Sequence, residues 1–167
     1  MSTILTPPKI PFHVGQTPPD FTLQTDEDTP LTLSSLRGQT VVLFFYPKDD
    51  TPGCTAEACS FRDNLPRFGQ LNATVLGISP DTWRKHRNFK KKYELTYTLL
   101  ADDNHAVAEA YGLWVQKLFW GKKYMGVART TFIIAPDGRV AKIFEGVSPE
   151  NHAHEVAEAV ELIGKRH

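Results

Sequence analysis

The chain has 167 residues, 41% of them hydrophobic and 11% aromatic, enough for one core and too short for two independent domains of ordinary size. Nineteen Lys and Arg balance nineteen Asp and Glu for a formal net charge of zero, so no long-range field draws the chain to nucleic acid or to an anionic membrane. The longest uninterrupted apolar run, Val41–Tyr46, is far short of a membrane span.

Residues 1–13, rich in Pro and Thr, are expected to form an N-terminal arm ahead of a single domain over residues 14–167. The opening residues lack the basic and apolar regions of an export signal, and cytoplasm is the expected location. Phe21-Thr22-Leu23 offers a short strand. Val41–Tyr46 is β-branched, aromatic and apolar on both alternating faces, which suits a central strand covered on both sides. Thr55–Asn64 has helix-forming composition until Pro66 interrupts it, and Thr74–Ser79 is a second apolar strand, completing a βαβ unit. Ser79-Pro80-Asp81 starts a further helix, with Trp83, His86, Phe89 or Lys90, and Tyr93 at helical spacing; Tyr97–Leu100 is the next strand. Thr130–Ala135 and Val140–Phe144 flank Pro136-Asp137-Gly138, a turn whose chemistry favours an antiparallel hairpin. A closing helix runs from near Ser148-Pro149 to near Gly164, with Val156, Ala159, Val160 and Ile163 as its apolar stripe. A parallel βαβ unit, a hairpin and a last helix give the order of an α/β, thioredoxin-like sandwich with a central mixed sheet flanked by helices.

Only two cysteines occur, Cys54 and Cys59, too few for a secreted disulfide framework. If Pro52 takes the first helical position, as its fixed φ prefers, Thr51 is the N-cap and Cys54 lies in the first turn. There the positive end of the helix dipole and free amide groups favour a thiolate. An ordinary thiol is about 3% ionised at pH 7, so ionisation alone can raise a rate only ~30-fold. A catalyst here must also stabilise a transition state. Five residues of helix separate the two Cα atoms by about 8 to 9 Å and rotate the side chains apart by roughly 140°, beyond the ~7 Å reach of a disulfide. A bridge between them would therefore require the first turns to unwind. The plain alternative is that both are small apolar fillers. A zinc site would need two more ligands, such as His86 or His105, without the usual paired spacing.

Phe45–Asp63, with the run Pro47-Lys48-Asp49-Asp50-Thr51-Pro52-Gly53-Cys54, closely resembles peroxiredoxins of the bacterioferritin-comigratory (Q) type. The resemblance extends through Leu76–Ser79, Leu99–Asp102, Tyr111–Trp114 and Tyr124–Ile134, covering roughly residues 14–165. It implies that Cys54 is the peroxidatic cysteine, with Pro47 and Thr51 at the other motif positions. It also implies that Cys59 is the resolving cysteine of an intramolecular disulfide and that Arg129 is the catalytic arginine. A hydroperoxide substrate, thioredoxin as reductant in preference to glutaredoxin, a monomer, and no metal, flavin or haem follow from the same resemblance. The chain departs from the pattern at Ala135 and in the more apolar Val115–Trp120 stretch, which bear on surface contacts.

Thr51 serves as N-cap in any case; Glu57 is read as favouring the helix N-terminus electrostatically, ahead of anchoring the loop; Arg84–Arg87 and Lys90–Lys92 are read as a solvated helix face. Core packing is expected for at least half of Trp114, Phe119, Trp120 and Tyr124, and an apolar patch around Trp120 would otherwise support a weak dimer. Two further functions compete, a general thiol–disulfide oxidoreductase and a redox-responsive holdase.

Overall fold

A computed structural model describes residues 3–165. The chain's alternating apolar pattern is resolved into one seven-stranded sheet. Strand β4 (Thr40–Phe45) pairs in parallel with β5 (Ala73–Ser79), and β5 with β6 (Thr98–Ala101). On one flank, β9 (Thr130–Ile134) pairs antiparallel with β4, and β10 (Val140–Glu145) with β9; on the other, β2 (Thr22–Thr25) and β3 (Pro30–Thr32) extend the sheet from β6. Successive β4 residues point to opposite faces, and both faces are covered. Val42 and Phe44 join Phe61, Phe68, Phe89, Val156 and Val160 from α1 (Pro52–Asp63), α2 (Leu65–Gln70), α3 (Trp83–Tyr93) and α5 (His152–Lys165). Val41, Leu43 and Phe45 join Leu33, Val107, Tyr111 and Phe132, under a 3₁₀ turn (Leu33–Leu36) and α4 (Ala106–Ala110). This is the α/β, thioredoxin-like arrangement read from the sequence.

Local chemistry sets the element ends. Thr82 caps α3 by accepting from the Lys85 amide, and Glu94 ends it in the left-handed region. The first helix breaks at Asn64 rather than at Pro66, which instead sits in the first turn of α2 where it needs no amide donor. Gly138, with φ of +90°, closes the expected hairpin.

A second, three-stranded sheet is the main addition. β7 (Trp114–Phe119) and β8 (Lys122–Val127) form a hairpin whose two turn residues, Trp120 and Gly121, both have positive φ. That is the geometry of a primed turn, usually signalled by Asn-Gly, and Trp in place of Asn hid it. β1 (Thr3–Ile4) pairs with β7, and Phe12 packs on Tyr111 and Phe132, so the segment read as an arm lies against the fold. Its backbone passes so close to Gly112 (φ +74°) that a Cβ there would stand 2.0 Å from the Lys9 carbonyl oxygen. Among Trp114, Phe119, Trp120 and Tyr124 none is buried, contrary to the core reading: Trp114 stacks on His105, while Trp120 is 87% exposed at the hairpin tip. No described helix is long and apolar enough to cross a membrane.

Candidate active site

The loop after β4 delivers its residues to the N-terminus of α1. Pro52 occupies the first turn and Thr51 the extended N-cap position. The Thr51 hydroxyl caps no amide; it donates to the Lys48 carbonyl oxygen at 2.9 Å. Its single proton is thereby committed, and its lone pairs are left to accept. Cys54, 2% exposed, follows in the first turn, and Pro47 is half-buried at the strand's end. Arg129, which lies between β8 and β9, reaches across 75 residues of sequence. Its Nη2 donates to Cys54 Sγ at 3.3 Å and its Nη1 to Glu57 Oε1 at 2.7 Å. Fixed fork geometry lets one guanidinium make both contacts.

Glu57 is fully buried and anchors Arg129, which corrects its reading as a remote influence on the helix dipole. It stands three positions after Cys54, so the two share a helix face, and that spacing was the available signal. Burial pushes its carboxyl up to about 7, although Arg129 acts in the opposite direction. Its Oε2 is buried without a hydrogen-bond partner among the described residues, a cost that protonation lessens. Burial also works against the Arg129 charge, but Glu57 and Cys54 outweigh it and raise its pKa. Behind Arg129, His152 on α5 meets the Thr131 hydroxyl at 2.7 Å, and burial with the nearby guanidinium lowers its pKa to about 4.

The loop itself is pinned from beneath by a cluster that includes His86, which its basic neighbours placed on a solvated face. His86 is wholly buried; its Nδ1 lies 2.7 Å from Asp49 Oδ2 and its Nε2 2.9 Å from the Leu100 carbonyl. Tyr46 donates to the other Asp49 oxygen, and the Asp49 amide donates to Asp81 Oδ2. Asp49, Asp81 and His86 are close enough to share an ion, but both ring nitrogens are already engaged and neither cysteine belongs to the cluster. His105 stacks on Trp114 and lies outside that cluster. The zinc ligands envisaged from the sequence therefore do not converge.

Cys59 is also helical, half-buried, and faces a groove between α1 and the start of α5 lined by Ser60, Asp63, Asn151 and His154. Cys54 instead belongs to the buried cluster that includes Ala58 and Phe61. Both thiols are free.

Residues 14–143 match the profile of the AhpC/TSA family. The chain belongs to that family. This AhpC/TSA protein is 45% identical over 152 residues to the peroxiredoxin Bcp of Bacillus subtilis, covering 91% of this chain and 95% of that one. It superposes on the peroxidoxin BcpB of Mycobacterium tuberculosis with a TM-score of 0.80 and 39% identity, over 90% and 97% of the two chains. It also superposes on the Xanthomonas campestris bacterioferritin comigratory protein, characterised for alkyl peroxide reduction, with a TM-score of 0.82 and 33% identity over 86% and 92%. As a peroxiredoxin it is a peroxidase enzyme that draws on a thiol, with a peroxide as substrate and a thiol reductant.

Proposed function

We propose that the protein reduces hydrogen peroxide and organic hydroperoxides through a Cys54 sulfenic acid, forms a Cys54–Cys59 disulfide within one chain, and is recycled by thioredoxin as a cytoplasmic monomer. The contact that carries the reading is Arg129 Nη2 at 3.3 Å from Cys54 Sγ. In the first step the thiolate attacks the terminal oxygen of the peroxide in line with the O–O bond, and negative charge moves from sulfur to the departing oxygen. Catalysis consists of stabilising that movement. Arg129 holds a fixed positive fork beside the sulfur. Thr51 accepts a hydrogen bond from the peroxide hydroxyl and so orients it, while Pro47 shapes the pocket without a competing amide donor.

The products are water or an alcohol and a sulfenic acid. Condensation with the Cys59 thiol then releases water and forms the disulfide. Helix geometry forbids that bond while α1 is intact. The first turn is held by the Thr55 amide bond to the Thr51 carbonyl. From Ala58 onward the helix is fixed more firmly, by Tyr97 donating to the Ala58 carbonyl and by Phe61 stacked on Phe44 at 4.4 Å. Unwinding therefore runs through residues 52–57 and stops there, which frees Cys54 and breaks its contact with Arg129.

Mass spectrometry after one equivalent of peroxide tests this. The expected product has lost two hydrogens and yields a peptide joining Cys54 to Cys59. Cys54→Ser abolishes peroxide reduction in stopped flow; Cys59→Ser keeps one turnover but loses thioredoxin-linked cycling. Surviving activity in the first variant removes Cys54 as nucleophile, and unchanged cycling in the second removes Cys59 as its partner.

A further inference from the structure

Lysine is rarely buried without a partner, because an unpaired ammonium loses its hydration. Lys117 on β7 is only 5% exposed. The ion-paired lysines among the described residues are Lys90, Lys92 and Lys165, not Lys117. Its direction is set by the hairpin. Lys117 stands opposite Tyr124, and its stem lies along Gly126, where a Cβ would meet Lys117 Cδ at 3.4 Å and Cε at 3.5 Å. The missing side chain leaves room for that stem, and Gly126 stands three positions before Arg129. Arg129 and the Cys54 sulfur are the charged groups that act on its ammonium. Burial, then Arg129, push it down to about 8, against an upward pull from the Cys54 sulfur.

The reaction proposed above leaves one proton unassigned. Attack on the terminal oxygen of ROOH expels RO⁻, whose basicity is comparable to that of hydroxide, so it needs a proton as it leaves. The remaining groups around the pocket are poor donors to it. Arg129 is too weak an acid and is held further in its charged form by Glu57 and Cys54. The Thr51 hydroxyl already donates its hydrogen bond to the Lys48 carbonyl oxygen. Glu57 lies behind the guanidinium, bound through Oε1, and His152 faces Thr131. Tyr124, opposite Lys117 on β8, is 40% exposed, and β1 presents the apolar Ile4 at this register.

Resting on the peroxidase reading, we propose that Lys117 is a catalytic residue, the general acid that protonates the leaving oxygen of the hydroperoxide. The balanced step is Cys54–S⁻ plus ROOH plus Lys117–NH₃⁺ giving Cys54–SOH, ROH and Lys117–NH₂. The S–O bond forms as the O–O bond breaks, sulfur is oxidised by two electrons, and water later returns the proton to the amine. An acid that titrates near the working pH suits this transfer.

The test uses leaving groups of different basicity. Single-turnover oxidation of the reduced full chain is followed by stopped-flow fluorescence at about pH 6.5 with hydrogen peroxide, tert-butyl hydroperoxide and peracetic acid, whose leaving acetate needs no proton. Lys117→Met is expected to slow the first two about 100-fold, the lower end for a lost general acid, and peracetic acid less than about 3-fold. Lys117→Arg, which keeps the charge but is too weak an acid, follows the same pattern. The wild-type rate with tert-butyl hydroperoxide falls as pH rises through about 8, and that fall is absent in both variants. An equal loss with all three oxidants in Lys117→Met, or no loss with any, overturns the proposal, the former assigning Lys117 to packing or to charge alone. A wild-type protein whose Cys54 reacts with none of the three overturns the peroxidase reading instead.

Discussion

Replacing Glu57 by Gln keeps the shape of the Arg129 anchor and removes one titration. Burial raises the Glu57 carboxyl from an ordinary 4.5 to about 7 in the folded protein. Below pH 4.5 folded and unfolded chains both carry the proton. Between 4.5 and about 7 the unfolded chain has released it while the folded one retains it, so stability falls as pH rises through that window. At about 1.36 kcal/mol per pH unit, the wild type loses about 3 kcal/mol across it that Glu57→Gln does not lose. His152 titrates in the opposite sense over an overlapping range, but it is common to both proteins and cancels in their difference. The assay is urea unfolding of the two reduced proteins at pH 4.5 and pH 8, with the stability difference compared at the two ends. Curves that run parallel within about 1 kcal/mol would show that Glu57 enters the fold already ionised, and the account of its buried carboxyl would fail.

Three other outcomes follow from the same geometry. His152 has its pKa lowered from 6.5 to about 4, so its contribution is present above pH 6.5 and lost as pH falls through 4; His152→Gln should flatten the acid limb of urea stability by about 3 kcal/mol relative to wild type. Arg129→Lys retains a cation but cannot hold Glu57 and Cys54 together, and stopped-flow oxidation by hydrogen peroxide should slow on the order of 100-fold; a rate within 3-fold of wild type contradicts the need for the fork. Gly112→Ala places a Cβ 2.0 Å from the Lys9 carbonyl oxygen, so the N-terminal segment must shift, with more than about 2 kcal/mol lost in urea unfolding and faster proteolysis ahead of residue 14.

Much of the scaffold was written locally. The Val41–Tyr46 run identified the central strand because its alternate side chains had no polar face to offer water, and Pro136-Asp137-Gly138 identified the β9–β10 hairpin through the turn its residues allow. Phe89 rather than Lys90 proved to be the buried member of its helix, and His86 joined it beneath the loop. A histidine among Arg and Lys looks solvated in one dimension. Its burial depends on Asp49 arriving from the loop after β4 and Leu100 from β6.

By itself the sequence determined that Thr51 and Pro52 open a helix with Cys54 in its first turn, and that Cys59 is on the same helix out of bonding reach. Both follow from a fixed φ and a constant helical pitch. Tertiary structure alone decided which charges meet the sulfur. Arg129 reaches Cys54 only through the antiparallel pairing of β9 with β4, and Lys117 turns inward only through the β7–β8 register. Contacts between residues 72 or more positions apart, such as Arg129 with Glu57 and Cys54, are set by which strands pair, and no local propensity encodes that choice.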